Sequence, residues 1–206
     1  MLPKTITLTP VNDDNGIAAS QTPGGAGNLT IAGALASGGT VTLAHAHLVT
    51  IWGGSDESGK TFTVYGADSR GLSISEAVTG PNNSTVSTTL YFKTITRIAV
   101  NAATAGAVIA GVNGLSVGPW LPQNRGMDDF ELSASVDISG TMTADVQHTL
   151  NNVQNANEAL SIGTHGSLAS LTADADGNYD FPVCAIRLAV TAFTSGTASI
   201  TTLMAG

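Results

Sequence analysis

The sequence predicts an all-β protein built from two tandem homologous modules, each an antiparallel β-sandwich or small barrel, preceded by an extended N-terminal arm. Three observations predict it. The 206 residues include 45 Ser plus Thr and 24 Gly but only 11% charged residues, a composition that starves helices and suits hydroxyl-rich strands joined by tight turns. Apolar residues alternate or run over stretches of four to six between turn signals, with no amphipathic helical stretch between them. Finally, residues 97–106 (RIAVNAATAG) return as residues 187–196 (RLAVTAFTSG), with identity at Arg, Ala, Val, Ala, Thr and Gly. A weaker echo sets residues 58–63 (SGKTFT) against 139–143 (SGTMT), in the same order along the chain.

In chain order, residues 1–26 contain Asn12-Asp-Asp-Asn-Gly16 and Thr22-Pro-Gly-Gly25 and read as the arm, a segment that orders only when something ties it down. The first module, residues 27–115, carries expected strands at 28–31, 40–43, 47–51, 61–65 and 95–100. Ser37-Gly-Gly39, Ser58-Gly59, Gly80-Pro-Asn-Asn83 and Thr104-Ala-Gly106 punctuate them as turns. Residues 116–127, rich in Pro and Gly, read as a linker. The second module, 128–206, carries expected strands at 130–136, 141–148, 184–191 and 198–203, and its stretch 151–159 is polar, either a long loop or one short helix.

Seven Lys plus Arg against 15 Asp plus Glu give a net charge of −8, so neither direct nucleic-acid binding nor attachment to an anionic membrane is expected. No apolar run approaches the roughly 18 residues of a membrane span. The first ten residues lack the apolar core and cleavage site of a secretion signal, so the expected site of synthesis and folding is a cytoplasm. The single Cys184 rules out an internal disulfide and reads as a small core residue. Modules of this size bury only about 60–65% of their unfolded surface, so homo-oligomerisation is expected as a further source of stability.

Several motifs invite a chemical reading. Gly54-Ser-Asp-Glu-Ser-Gly59-Lys60-Thr61 satisfies the phosphate-binding pattern G-x-x-x-x-G-K-[ST], a pattern that works through loop amides and a helix N-terminus converging on an anion. Here a β-branched and aromatic alternation follows Lys60, and Asp56 and Glu57 bring negative charge, so a hairpin turn is the expectation. His45 and His47 lie two apart on one strand and read as a polar pair on a wet face rather than as metal ligands. Asp174, Asp176 and Asn178 match three positions of a calcium loop, but Tyr179 and Ala185 replace its glycine and its bidentate Glu, so a turn is expected. Asp128, Asp129 and Glu131 form the densest carboxylate group, without a flanking pattern that would make them catalytic. Trp52, Trp120, Tyr65 and Tyr91 are of the type that stacks on sugars, although core or interface roles are commoner for them. The expectation is a non-enzyme with no catalytic, cofactor-binding or metal-binding residues and no cofactor.

Five segments, at residues 16–30 (GIAASQTPGGAGNLT), 75–82 (SEAVTGPN), 91–96 (YFKTIT), 146–149 (VQHT) and 175–188 (ADGNYDFPVCAIRL), together resemble virion-associated structural proteins of tailed bacteriophages. The resemblance implies a place on the particle, assembled in the bacterial host cytoplasm, as a head decoration or cement protein that stabilises the capsid. Its partners would be copies of itself and the major capsid protein. The alternatives are a neck or tail adaptor contacting neck or tail proteins, and an adhesion module whose loops 80–86 and 151–165 meet a host-surface glycan or protein. It implies no catalytic residues.

Overall fold

A computed structural model describes residues 3–123 and 131–205. These residues are all-β, paired antiparallel, with no helix among them. The chain divides into two compact units, one of residues 11–114 and one combining residues 1–10 with 115–206. Each has its own hydrophobic core, and the two cores share no residue.

The unit of residues 11–114 holds β2 (Asn12–Gln21), β3 (Gly27–Asn28), β4 (Ala36–Ser37), β5 (Thr40–Gly53), β6 (Thr61–Ala67), β7 (Ser73–Thr79), β8 (Thr85–Val100) and most of β9 (Val108–Val117). The strand order is β9-β5-β8-β6-β7, with β2 on β9, β3 on β8 and β4 on β5. Alternation sets the face of β6, where Phe62 and Val64 are fully buried, while on β8 the fully buried Phe92, Ile95 and Ile98 stand three apart, across register shifts in its pairing with β5 and β6. The Ser37-Gly-Gly signal forms the tight β4–β5 hairpin. Gly38 and Gly39 take φ of 61° and 78° between the pairs Ser37↔Thr40 and Ala36↔Val41, the doubly left-handed geometry of a two-residue hairpin loop.

The other unit holds β1 (Lys4–Leu8), the last residues of β9, β10 (Leu121–Pro122), β11 (Glu131–Thr149), β12 (Gly163–Thr164), β13 (Ala175–Tyr179) and β14 (Ala185–Ala205). Its frame is the β11–β14 ribbon, paired along the whole length of β11. One face of this ribbon points inward throughout: Leu132, Ala134 and Val136, then Met142, Ala144 and Val146 on β11, with Ile186, Leu188 and Val190, then Ala198 and Ile200 on β14. Both halves of the ribbon line a single core, so the ribbon curls over its own inner face. The curl centres on Gly140 and Gly196, directly opposite one another at φ of 99° and 102°, with register shifts just beyond.

Four expectations change. Residues 1–26 do not form a free arm: β1 pairs with β14 (Leu8↔Ala198, Ile6↔Ile200), β2 pairs with β9, and Leu8, Ile17 and Ala18 are fully buried. The expected linker is structured as far as Gln123, because its Val117, Trp120 and Leu121 are apolar enough to bury; residues 124–127 lie outside the described residues. The separate strands at 40–43 and 47–51 are one strand, as are those at 130–136 and 141–148 and those at 184–191 and 198–203, and Phe130 lies outside the described residues. Residues 28–31 are strand only at Asn28; of the two readings left open for 151–159 the loop is the one found, held by its own side chains, with Asn151 Nδ2 donating to Glu158 Oε1 at 2.7 Å.

Candidate functional site

The phosphate-loop look-alike is an internal ion-pair turn. Glu57 is fully buried, and its carboxylate accepts from Lys60 Nζ at 2.7 Å and from the backbone N–H groups of Ala105 and Gly106 at 3.1 and 2.9 Å. Burial opposes its ionisation, but the Lys60 hydrogen bond and the two amides outweigh it and hold its pKa below the usual carboxylate range. The lysine that an anion would need is thus committed to the protein's own carboxylate, and the loop amides of Gly54, Glu57, Ser58 and Lys60 donate to Ala107 O, Pro81 O, Asp56 Oδ1 and Glu57 O. Strand β6, not a helix, follows. The loop after β7 is stitched to this turn by the Asp56–Asn82 bridge and by Glu57 N–H donating to Pro81 O at 2.8 Å.

The histidine pair is divided. His47 is fully buried, which overturns the wet-face reading: the Val11 N–H donates to its Nε2 at 3.1 Å, leaving Nδ1–H to donate to His45 O at 2.9 Å. Both ring nitrogens are engaged. Desolvation, aided by nearby His45 and opposed by the bond to His45 O, lowers its pKa. A further imidazole cluster, not foreseen from the sequence, joins His148, His165, Tyr179 and Phe181, with ring centroids 4.6–5.8 Å apart. His165 Nε2 donates to Asn178 O at 2.9 Å while Leu168 N–H donates to its Nδ1 at 3.1 Å. Burial first, and nearby His165 second, lower the His148 pKa, while burial raises that of Tyr179.

Residues 175–179 are strand β13 rather than a turn, and Asp174 caps the N–H of Ile138 at 2.7 Å. Glu131 is exposed at the start of β11 beside Asn178 and Asp180; Asp128 and Asp129 lie outside the described residues. Among the described residues no group of three or more His, Cys, Asp or Glu is placed to hold a metal ion, and no helix is long and apolar enough to cross a membrane. Cys184 is buried, its thiol donating to Leu150 O.

The four aromatic residues separate by use. The Arg97 guanidinium sits 3.8 Å from the centre of the Tyr65 ring, and that of Arg187 sits 4.5 Å from the centre of the buried Trp120 ring. Both echoed arginines therefore lie on an aromatic face. Tyr91 lies half-buried within β8. Trp52 alone is open to solvent, 38% exposed, over a groove of about 200 Å³ lined by Asp14, Thr50, Thr85 and Ile109. Four strands build that groove: Asp14 comes from β2, Thr50 and Trp52 from β5, Thr85 from β8 and Ile109 from β9, with Trp52 directly opposite Thr85 in register.

Neither family models, curated proteins nor solved structures contain a match to this chain.

Proposed function

We propose that the chain is a non-enzymatic structural protein of a tailed-phage virion, most plainly a head decoration protein that self-associates and braces the capsid. The reading starts from the resemblance of the five segments, and one observation on the fold supports it. Strand β7 ends the order β9-β5-β8-β6-β7, and among the described residues it pairs only with β6, in unbroken register over all seven residues. Its outward positions are Ser73, Ser75, Ala77 and Thr79, while its one charged side chain, Glu76, is turned onto the N–H groups of Thr89 and Leu90 at 2.8–3.0 Å. Lysine, proline and bulges are missing from it, and the inward-turned Glu76 is its one guard against pairing. Such an edge suits lateral pairing in a repeating array.

The two units are read in the same proposal as descendants of one module. Supporting this, the echoes 97–100 and 187–190 both lie in strands paired on two sides and both begin on an arginine stacked on an aromatic ring. Their second halves have diverged: residues 101–107 are loop, whereas 191–196 continue β14.

Titrating the recombinant chain onto phage heads that lack it tests the proposal. Saturable binding at a stoichiometry that follows the shell's repeats is expected, weakened at least about tenfold (~1.4 kcal/mol) by the paired substitution Ser75→Lys and Ala77→Lys on β7. Binding indifferent to those charges would remove β7 from the interface, and failure to bind heads would overturn the decoration role.

A further inference from the structure

We propose that the Trp52 groove is a binding site for a neutral pyranoside, a role that stands apart from structural attachment to a shell. The groove is lined by the indole-bearing Trp52, by Thr50 and Thr85, which carry both a methyl and a hydroxyl, by the apolar Ile109 and by the carboxylate-bearing Asp14. A pyranose ring with equatorial hydroxyls has the matching anatomy, with C–H bonds on its faces and hydroxyl donors around its rim. An indole stacks on the first, while a carboxylate and hydroxyls receive the second.

The site is preorganised. Trp52 stands in register opposite Thr85 on adjacent strands, and its ring edge lies so close to Gly54 that a Cβ there would come within 3.0 Å of it. Gly54 is itself tied down by its N–H donating to Ala107 O at 3.1 Å. A ring already held in place loses little freedom on binding.

Charge narrows the ligand. The lining contains one carboxylate, the exposed Asp14, and no Lys or Arg, and the chain as a whole carries −8, so uronic acids, sialic acids and phosphosugars would meet a like charge with no basic lining residue to offset it. Size narrows it again. About 200 Å³ holds a single ring rather than a buried oligosaccharide, below the roughly 300–1,000 Å³ of pockets that enclose larger ligands. Affinity for one ring should accordingly be weak, on the order of 1 mM.

The two tryptophans supply an internal control, because Trp120 is buried beneath Arg187 while Trp52 lines the groove. We would titrate the full-length chain with methyl β-glucopyranoside, N-acetylglucosamine, methyl β-galactopyranoside and glucuronate, following both indole N–H resonances by NMR. At least one neutral sugar should shift the Trp52 resonance saturably and leave Trp120 in place, with glucuronate at least about tenfold weaker. Trp52→Ala should abolish the effect on neighbouring backbone amides, and Asp14→Ala should weaken binding about tenfold, with thermal unfolding confirming that both variants fold. No shift with any neutral sugar, equal movement of both tryptophans, or glucuronate binding as tightly as glucoside would each overturn the site.

Discussion

Glu57 explains why a full match to a nucleotide-binding pattern carries no nucleotide chemistry. The sequence already held the warning in Asp56, Glu57 and the strand pattern after Lys60, but the amides of Ala105 and Gly106 that complete the carboxylate's cradle lie 48 and 49 residues further along and left no local sign. Glu57→Gln leaves Lys60, only 18% exposed, beside a neutral partner, and should destabilise the unit of residues 11–114 by roughly 2–4 kcal/mol in urea unfolding. His47 shows the same limit of local reading. Strand alternation placed it beside His45, yet the Val11 N–H that satisfies its buried Nε2 lies 36 residues away. His47 and His148 both have lowered pKa values in the fold, so as pH falls the unfolded chain takes up protons first. Their contribution is complete above the ordinary imidazole value of about 6.5 and drains away below it. Unfolding midpoints should therefore drop between about pH 7 and pH 5, and less steeply in His47→Gln; an unchanged slope in that variant would contradict the assignment.

At the level of elements, hydroxyl-rich alternation made β6 and the end of β8 legible and showed β5 as two pieces, 40–43 and 47–51, of one strand, and Gly-Gly marked the β4–β5 hairpin. Strand lengths were not legible, because Ser139-Gly140 and Ser195-Gly196 carry the same turn chemistry that ends a strand elsewhere. Only their pairing across the ribbon, Gly140↔Gly196, turns two apparent breaks into one bend in two continuous strands. A Cβ at either position would run into the opposing backbone at Ser195 or Ser139. Gly140→Ala and Gly196→Ala should each cost roughly 1–3 kcal/mol, with the double variant costing less than the sum, because each relieves the geometry the other requires. Full additivity in chemical denaturation would show that the two glycines act independently.

Across the whole molecule, the chain's first strand belongs with its last. Nothing near residues 4–8 signals this, since β1 finds its partner at residues 198–202 of β14, and the polar run after it reads as an arm. Leu8 lies in the core of the unit formed by residues 1–10 and 115–206, so Leu8→Ala should cost about 2–5 kcal/mol. Hydrogen exchange should then quicken in β14 and β11 while β5, β6 and β8 stay protected, because the cores are separate. Uniform loss of protection would mean that the two units unfold as one. The proposed role on a particle is tested most directly by quantitative mass spectrometry of purified phage after heads are separated from tails. A copy number with the heads that follows the repeats of the shell is the predicted result; a few copies with the neck or tail, or none in either fraction, would contradict it.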